Sequence, residues 1–134
     1  MVNYLTLVYQ DFKYMKPKID KTKFGSITIA GDKYDYDVLI RLNGKVEKRM
    51  KKLSKEEFGT SHILSKAEAE FVYEKGAELI IIGSGQEGML KLSDEAAAFF
   101  KKKECKVKLL PTPDALIAWN KAKSPCIGLF HITC

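Results

Sequence analysis

The residues that most strongly suggest chemistry form a glycine-rich loop directly after an apolar run. The run extends from Leu79 to Ile82, and the loop from Gly83 to Gly88 has the spacing G-x-G-x-x-G. Such a loop at the end of a buried strand is typical of dinucleotide-binding proteins, in which backbone N–H groups bind a pyrophosphate. The pattern therefore raises the question of a nucleotide site.

The surroundings of the loop do not fit a dinucleotide site. Four residues separate Gly88 from Ser93, where the next helix is predicted to begin, and the following predicted strand has no acidic residue at its end. Two interpretations stay open: the glycines serve tight turns, or the loop N–H groups line a small anion or substrate site. On the second interpretation the candidate ligand-binding residues are Gly83, Ser84, Gly85, Gln86 and Gly88.

Three residues elsewhere extend this candidate site: Ser61, His62 and Arg49. His62 lies in a predicted loop, and histidine is the residue type that most often serves in acid–base work, although hydrogen bonding within its own loop is the alternative. Arg49 is predicted on the solvent side of a strand, where it could clamp a carboxylate or phosphate if it lies near the glycine loop. No nucleophile–base pair is recognisable, so no catalytic residue is assigned and a non-enzymatic protein is favoured.

The cysteine and histidine pattern predicts neither a metal nor a cofactor. Cys105, Cys126 and Cys134 form no C-x-x-C pair, and His131 and Cys134 would point to opposite faces of a strand. An odd number of cysteines also argues against a disulfide framework. Cys105 and Cys126 lie in apolar segments, so we expect buried free thiols.

Length and composition predict one intracellular domain. The chain has 134 residues, of which 46% are hydrophobic and 30% charged, as in ordinary globular proteins. No apolar run is long enough to span a bilayer, and the N-terminus does not read as a signal peptide. We therefore expect a cytoplasmic protein without a membrane partner, with residues 1–14 as an extension and residues 15–134 as the domain.

The net charge of +6 comes almost entirely from lysines, since the only arginines are Arg41 and Arg49. Most lysines are interleaved with glutamates and aspartates, which is typical of a solvated surface and disfavours a nucleic-acid partner. The two most basic clusters, 13–23 and 101–103, could still contact an acidic partner.

The two halves of the chain have different hydrophobic periods. Residues 24–29 read as a strand, residues 34–42 alternate as one half-buried strand, and Asn43-Gly44 predicts a hairpin to a return strand over 45–51. Beyond residue 64 the order is α-β-α-β-α-β, with helices over 65–76, 93–103 and from Thr112, and strands over 78–83, 106–110 and 126–133. Ser65 to Glu68 form a capping box at the start of the first helix, and Thr112 is predicted as the N-cap of the last. This order predicts an α/β fold with a largely parallel sheet covered by helices.

The chain resembles the Mth-domain family, a family without an established mechanism. The matching pieces, in order, are Phe24-Gly25-Ser26-Ile27, Tyr36-Asp37-Val38, Val46 with Arg49, Gly59-Thr60-Ser61-His62, the loop Gly83 to Gly88, Pro111-Thr112, Ala115 and Trp119-Asn120. The resemblance covers about residues 18–134. It implies a three-layer α/β fold whose central sheet is mixed, with an additional N-terminal antiparallel β-hairpin layer.

The resemblance also bears on function. Relatives include an adipogenesis-associated protein and a mitochondrial complex I assembly factor, which suggests a protein-binding or assembly-type module. The alternative is a small-molecule or anion-binding protein, with or without catalysis, whose pocket lies at the Gly83–Gly88 loop. Trp119, at helical spacing from Leu116, is predicted to belong to the core.

Overall fold

A mixed five-stranded sheet forms the centre of the fold. The computed structural model describes residues 16–134, so the predicted extension over residues 1–14 lies outside the described part. Within that part the chain forms ten strands and four helices. The elements are β1 (Ile19–Lys23), β2 (Ser26–Ile29), β3 (Asp32–Tyr34), β4 (Val38–Ile40), β5 (Val46–Lys48), α1 (Lys52–Phe58), β6 (Ile63–Leu64), α2 (Lys66–Val72), β7 (Leu79–Ser84), β8 (Lys91–Leu92), α3 (Asp94–Lys102), β9 (Lys106–Leu110), α4 (Thr112–Lys121) and β10 (Cys126–His131).

The strand order of the central sheet is β5-β4-β10-β7-β9. The strand pairs β10–β7 and β7–β9 are parallel, whereas β4 is antiparallel to both β10 and β5. All six residues of β7 are buried, as its continuous apolar run predicts. The predicted α/β class and the mixed central sheet are therefore confirmed.

Helices cover one face of this sheet, and the other face carries a helix together with a second sheet. Alternate residues of β7 point into different cores: Ile80 and Ile82 pack with α2 and α3, whereas Leu79 and Ile81 pack with α4 and with β1 and β2. The second sheet has the order β1-β2-β3 and is antiparallel. It is the additional hairpin layer that the family resemblance implies, enlarged by one strand.

Helix α4 fixes the second sheet in place. The amide of Asn120 bonds both the N–H and the carbonyl of Ile19, at 3.0 and 2.8 Å, and the indole N–H of Trp119 donates to the carbonyl of Pro17 at 2.8 Å. Trp119 is fully buried, which confirms its prediction as a core residue. The three-stranded sheet therefore has a fixed inner face and a solvent face.

The predicted single strand over residues 34–42 is wrong. The chain leaves the small sheet after Tyr34 and enters the central sheet at Val38, because the intervening Asp37 bonds groups on other elements. The alternation of polar and apolar residues continues across this change of sheet, so periodicity alone does not detect it. Four short elements, α1, β1, β6 and β8, were not predicted either.

The two hairpin turns also differ from expectation. Between β4 and β5 the Asn43-Gly44 hairpin is confirmed, but only Gly44 has a positive φ, of 88°, as in a three-residue loop. The turn in which both central residues have positive φ joins β2 to β3, where Ala30 has φ 49° and Gly31 has φ 85°. An alanine in this region is strained because its Cβ approaches the following carbonyl.

Replacing Ala30 with glycine should therefore stabilise the protein. We expect Ala30→Gly to raise the free energy of unfolding by about 0.5–1 kcal/mol, because glycine adopts positive φ without steric cost. The matched control is Ala67→Gly on the exposed face of α2, which should lower it by about 1 kcal/mol. Equilibrium urea unfolding measures both, and equal losses in the two variants would contradict the strain at Ala30.

Candidate functional site

Arg49 is the centre of a buried polar cluster and is only 4% exposed. Its guanidinium forms a bidentate pair with Glu68, with N–O distances of 2.7 and 2.9 Å. It also donates to the Asp37 carboxylate at 3.0 Å and to the Ser61 carbonyl at 2.9 Å. The prediction that Arg49 faces solvent is wrong, because two carboxylates from distant segments offset the cost of burying its charge.

Four elements position the cluster. Asp37 precedes β4 and Arg49 follows β5, and the Arg49 N–H donates to the Asp37 carbonyl at 2.8 Å. Glu68 lies in α2, where its N–H is capped by the Ser65 hydroxyl at 3.1 Å as the sequence predicts. The Glu68 carboxylate does not accept the N–H of Ser65, as it would in a capping box. It bonds Arg49 and accepts a hydrogen bond from the Ser54 hydroxyl of α1.

The charges of the cluster hold one another ionised. Burial alone would raise the pKa of Asp37, but hydrogen bonds from His131 and Ile132 and the charges of His131 and Arg49 hold that pKa below its usual range. Burial alone would lower the pKa of Arg49, but Glu68 and Asp37 raise it. Arg49 and Asp37 therefore remain charged at neutral pH.

His131 extends the cluster toward the surface. Its Nδ1 lies 2.7 Å from the Asp37 carboxylate, and its Nε2 lies 3.3 Å from the Thr133 hydroxyl. The half-buried ring of His62 packs edge-on against it, with ring centroids 5.2 Å apart. The other Asp37 oxygen accepts the Ile132 N–H at 2.9 Å. A carboxylate, an imidazole and a hydroxyl thus stand in series.

The N–H groups of the glycine loop bond the chain itself. Those of residues 85–90 donate to main-chain or side-chain oxygens within the protein, and three of the six donate to the segment that follows β10. The acceptors are Thr112 Oγ1 for Gly85, Thr133 O for Gln86, Cys134 O for Glu87 and Met89, Gly85 O for Gly88 and Ser84 O for Leu90. The glycines thereby allow two backbone segments to lie in contact.

Gly85 is the residue for which this contact leaves no room. A Cβ at Gly85 would overlap the main chain of Cys134 and lie 2.9 Å from the His131 ring, and φ at this residue is +104°. Thr112 links the same segments, because its hydroxyl accepts from Gly85 N–H and donates to the His131 carbonyl. Thr112 was predicted as the N-cap of α4, but Pro111 occupies that position.

The predicted site residues are brought together only in part. His62 and Gly85 lie against His131 directly. Arg49 is joined to His131 through the Asp37 carboxylate, and Ser61 is joined to Arg49 through its carbonyl. The side chain of Gln86 instead donates to the Thr22 hydroxyl of β1 at 3.1 Å. Gly83 and Ser84 are buried at the end of β7, and Gly88 lies beside Pro111.

The sequence patterns missed the two carboxylates of the cluster, Asp37 and Glu68. The usable signal for Asp37 was an acidic residue beside the apolar residues of β4. Glu68 carried no such signal, since its position already fits a capping box. Over residues 16–134 no group of three or more His, Cys, Asp or Glu side chains is arranged to hold a metal ion.

An apolar groove lies on the far side of the sheet from β5, between α3 and β9. Its volume is about 570 Å³. Burial raises the pKa of the Cys105 thiol in its wall to about 11, so this group stays neutral at physiological pH. The groove is lined by Leu92, Ala97, Lys101, Glu104, Cys105, Lys106, Val107 and Leu109.

The fold and the polar cluster place the chain in a class of small three-layer α/β domains. A family model described as "Protein of unknown function (DUF498/DUF598)" matches residues 19–125. The chain belongs to this family, and the predicted resemblance to the Mth-domain family is confirmed.

Solved structures agree with this assignment. The conserved hypothetical protein PH1505 from Pyrococcus horikoshii OT3 is 34% identical over 87% of this chain and 99% of its own, with a TM-score of 0.80. A protein named MT938 is 31% identical over 89% and 100%, with a TM-score of 0.75. A Mth938-like domain from Bordetella pertussis is 12% identical over 87% and 85%, with a TM-score of 0.58, and shares the fold. None of these names states an activity.

No helix within residues 16–134 is long and apolar enough to cross a membrane.

Removing the Arg49 charge should destabilise the fold far more than removing an exposed one. We expect Arg49→Met to lower the free energy of unfolding by roughly 3–5 kcal/mol, because it leaves two carboxylates buried without their cation. Arg41→Met is the matched control; its ion pair with Glu47 is partly exposed and its loss should cost at most about 1 kcal/mol. Similar losses in urea unfolding would show that the buried cluster does not hold the fold.

Proposed function

We propose that the protein is a non-enzymatic protein-binding module of the assembly type, whose partner binds along the groove between α3 and β9. The observation that carries this proposal is that a large, mainly apolar groove borders a sheet edge that has no partner strand within residues 16–134. Leu109, in its wall, is 39% exposed. Exposed apolar surface beside polar groups is characteristic of protein-interaction sites.

Strand β9 presents main-chain groups to this groove. In the described part of the chain it pairs only with β7, and the Lys106 N–H is directed to that side, toward the Glu78 carbonyl at 3.0 Å. Successive residues of a strand direct their N–H and C=O groups to opposite sides. The main-chain groups of Val107 and Leu109 therefore point outward, where an extended segment can pair with them.

The charges around the groove select an acidic partner. Exposed lysines lie at both the end of α3 and along β9, and Glu104 is the acidic residue among the lining side chains. Lysines on an edge strand also oppose pairing between two copies of the same chain. The proposed partner is therefore an extended segment that alternates acidic and apolar side chains. The lysines that line the groove are Lys101 and Lys106.

A defined peptide tests this function. A synthetic repeat of glutamate and valine should bind the parent protein and shift the NMR signals of the Val107 and Leu109 amides, whereas a lysine–valine repeat should not bind. Leu109→Lys should weaken binding about tenfold or more, because it places a charge in the apolar wall. Ile117→Lys alters a residue that is 50% exposed on α4, away from the groove, and should leave affinity unchanged.

Two results would contradict the proposed groove. Equal affinity of Leu109→Lys and Ile117→Lys would place peptide binding elsewhere. Absence of binding by either peptide, together with no partner cross-linked to the parent protein in an extract of its source, would argue against a protein-binding role.

A second proposal is a small-molecule or anion site beside the glycine loop. It is supported by the contact of both His62 and Gly85 with His131, to which Ser61 is linked through Arg49 and Asp37. The series from Asp37 through His131 to the Thr133 hydroxyl also has the order of carboxylate, imidazole and hydroxyl used for acid–base work. This site would require His62, the half-buried ring of the group.

A thermal-shift screen separates this second function from the first. Carboxylates, phosphates and nucleotides that bind beside His131 should raise the melting temperature of the parent protein and lose that effect in His62→Gln, which keeps a polar side chain of similar reach. If no compound raises the melting temperature of either protein, or if a compound raises both equally, the proposed site is contradicted.

A further inference from the structure

The solvent face of the three-stranded sheet concentrates lysines. In the strand register Lys21 lies opposite Thr28, which lies opposite Lys33, and Lys23 lies opposite Ser26 in the next row. Because the neighbouring Ile27 and Ile29 point into the core, these residues share the outer face. Three lysines are thereby collected on a surface three strands wide.

These lysines have no acidic partner among the described residues. The ion pairs of residues 16–134 use arginine or histidine as the cation, and none uses a lysine. Lys21 and Lys33 are separated by two strand spacings, roughly 10 Å, so they repel each other modestly across Thr28. The nearby Asp20 carboxylate accepts the Gly31 N–H at 2.8 Å. An anion between the lysines would relieve the repulsion.

The same face is concave. A hollow of about 130 Å³ is bounded by the three lysines and by hydroxyl-bearing residues. A single water needs roughly 10–15 Å³ by this measure, so the hollow has room for a phosphate group with some hydration. Its lining is Lys21, Thr22, Lys23, Ser26, Thr28 and Lys33.

The floor of the hollow is held in place by hydrogen bonds. The Thr22 hydroxyl donates to the Ser26 carbonyl at 2.8 Å and accepts from the Gln86 side chain at 3.1 Å. The hollow is thus joined to the glycine loop by Gln86, while the long lysine chains above it can adjust to a ligand. A fixed floor under adjustable cations suits a compact anion of high charge.

We propose that this hollow is a binding site for a phosphate group that carries two or more negative charges, such as a terminal phosphate or pyrophosphate. The three ammonium groups supply the charge and donate hydrogen bonds to the phosphate oxygens. The hydroxyls of Ser26 and Thr28 stand beside them. The site is separate from the α3–β9 groove and requires neither His62 nor the N–H groups of the glycine loop.

Calorimetry with pyrophosphate tests the site directly. The double variant Lys21→Gln/Lys33→Gln should weaken binding about tenfold or more, through the loss of two charge-assisted hydrogen bonds. Lys55→Gln/Lys75→Gln removes the same charge from exposed positions elsewhere and should bind as the parent protein does. Both variants should melt at the parent temperature without ligand, since the altered side chains are exposed.

If both double variants bind pyrophosphate equally weakly, the effect comes from net charge alone and the proposed site is overturned. A parent protein that does not bind pyrophosphate would overturn it as well. His62→Gln should bind pyrophosphate normally, which separates this site from the one proposed beside the glycine loop.

Vesicles that contain a phosphorylated inositol lipid identify the source of the phosphate. Retention that is lost in Lys21→Gln/Lys33→Gln indicates a lipid headgroup, whereas pyrophosphate binding without retention indicates a free phosphorylated molecule.

Discussion

The buried guanidinium of Arg49 is the constraint on which the rest of the structure depends. A cation that is 4% exposed must be neutralised within the interior, and here Glu68 and Asp37 do so from α2 and from the segment before β4. The Ser61 carbonyl accepts a further N–H from the same group. One side chain therefore fixes a helix, two strand ends and a loop relative to one another.

The polar groups at the centre of the fold therefore bond one another and the main chain. The described residues contain no buried side-chain nitrogen or oxygen without a hydrogen-bond partner. The glycine loop follows the same principle, since its N–H groups bond the main chain beyond β10 and Thr112. Among residues 16–134, the outer edge of β9 and the lysines of the small sheet lie at the periphery and have no internal partner. These surfaces are where we place binding.

Local signals in the sequence were sufficient for much of the fold. Ser93 caps α3 through the Ala96 N–H, as its position before two acidic residues indicates, and the apolar run of β7 marked a strand buried on both faces. The order of helices and strands after Ser65 then required a sheet with helices covering it. The family resemblance supplied the antiparallel direction of one strand, which local patterns do not encode.

The site depended on contacts that no local pattern reports. Asp37 reaches His131 across 94 positions, and Arg49 reaches Glu68 across 19. Arg49 therefore read as a solvated strand residue, and Glu68 read as a capping residue. For the same reason the change of sheet at Asp37 was missed, because what interrupts the strand is a hydrogen-bond partner far along the chain. The hydrophobic period of a segment indicates which of its residues are buried, but it does not indicate which distant residue a polar side chain will bond.

The central functional claim is that the outer edge of β9 is open and can pair with a partner segment. Residue-level amide hydrogen exchange along β9, in the protein without a partner, measures this most directly. If the outer edge of this strand is open, the Val107 and Leu109 amides exchange rapidly, whereas the Lys106 and Lys108 amides, which point toward β7, exchange slowly. Uniform slow exchange at all four amides would contradict the claim, because it would mean that the edge is already covered and that no partner strand can be added there.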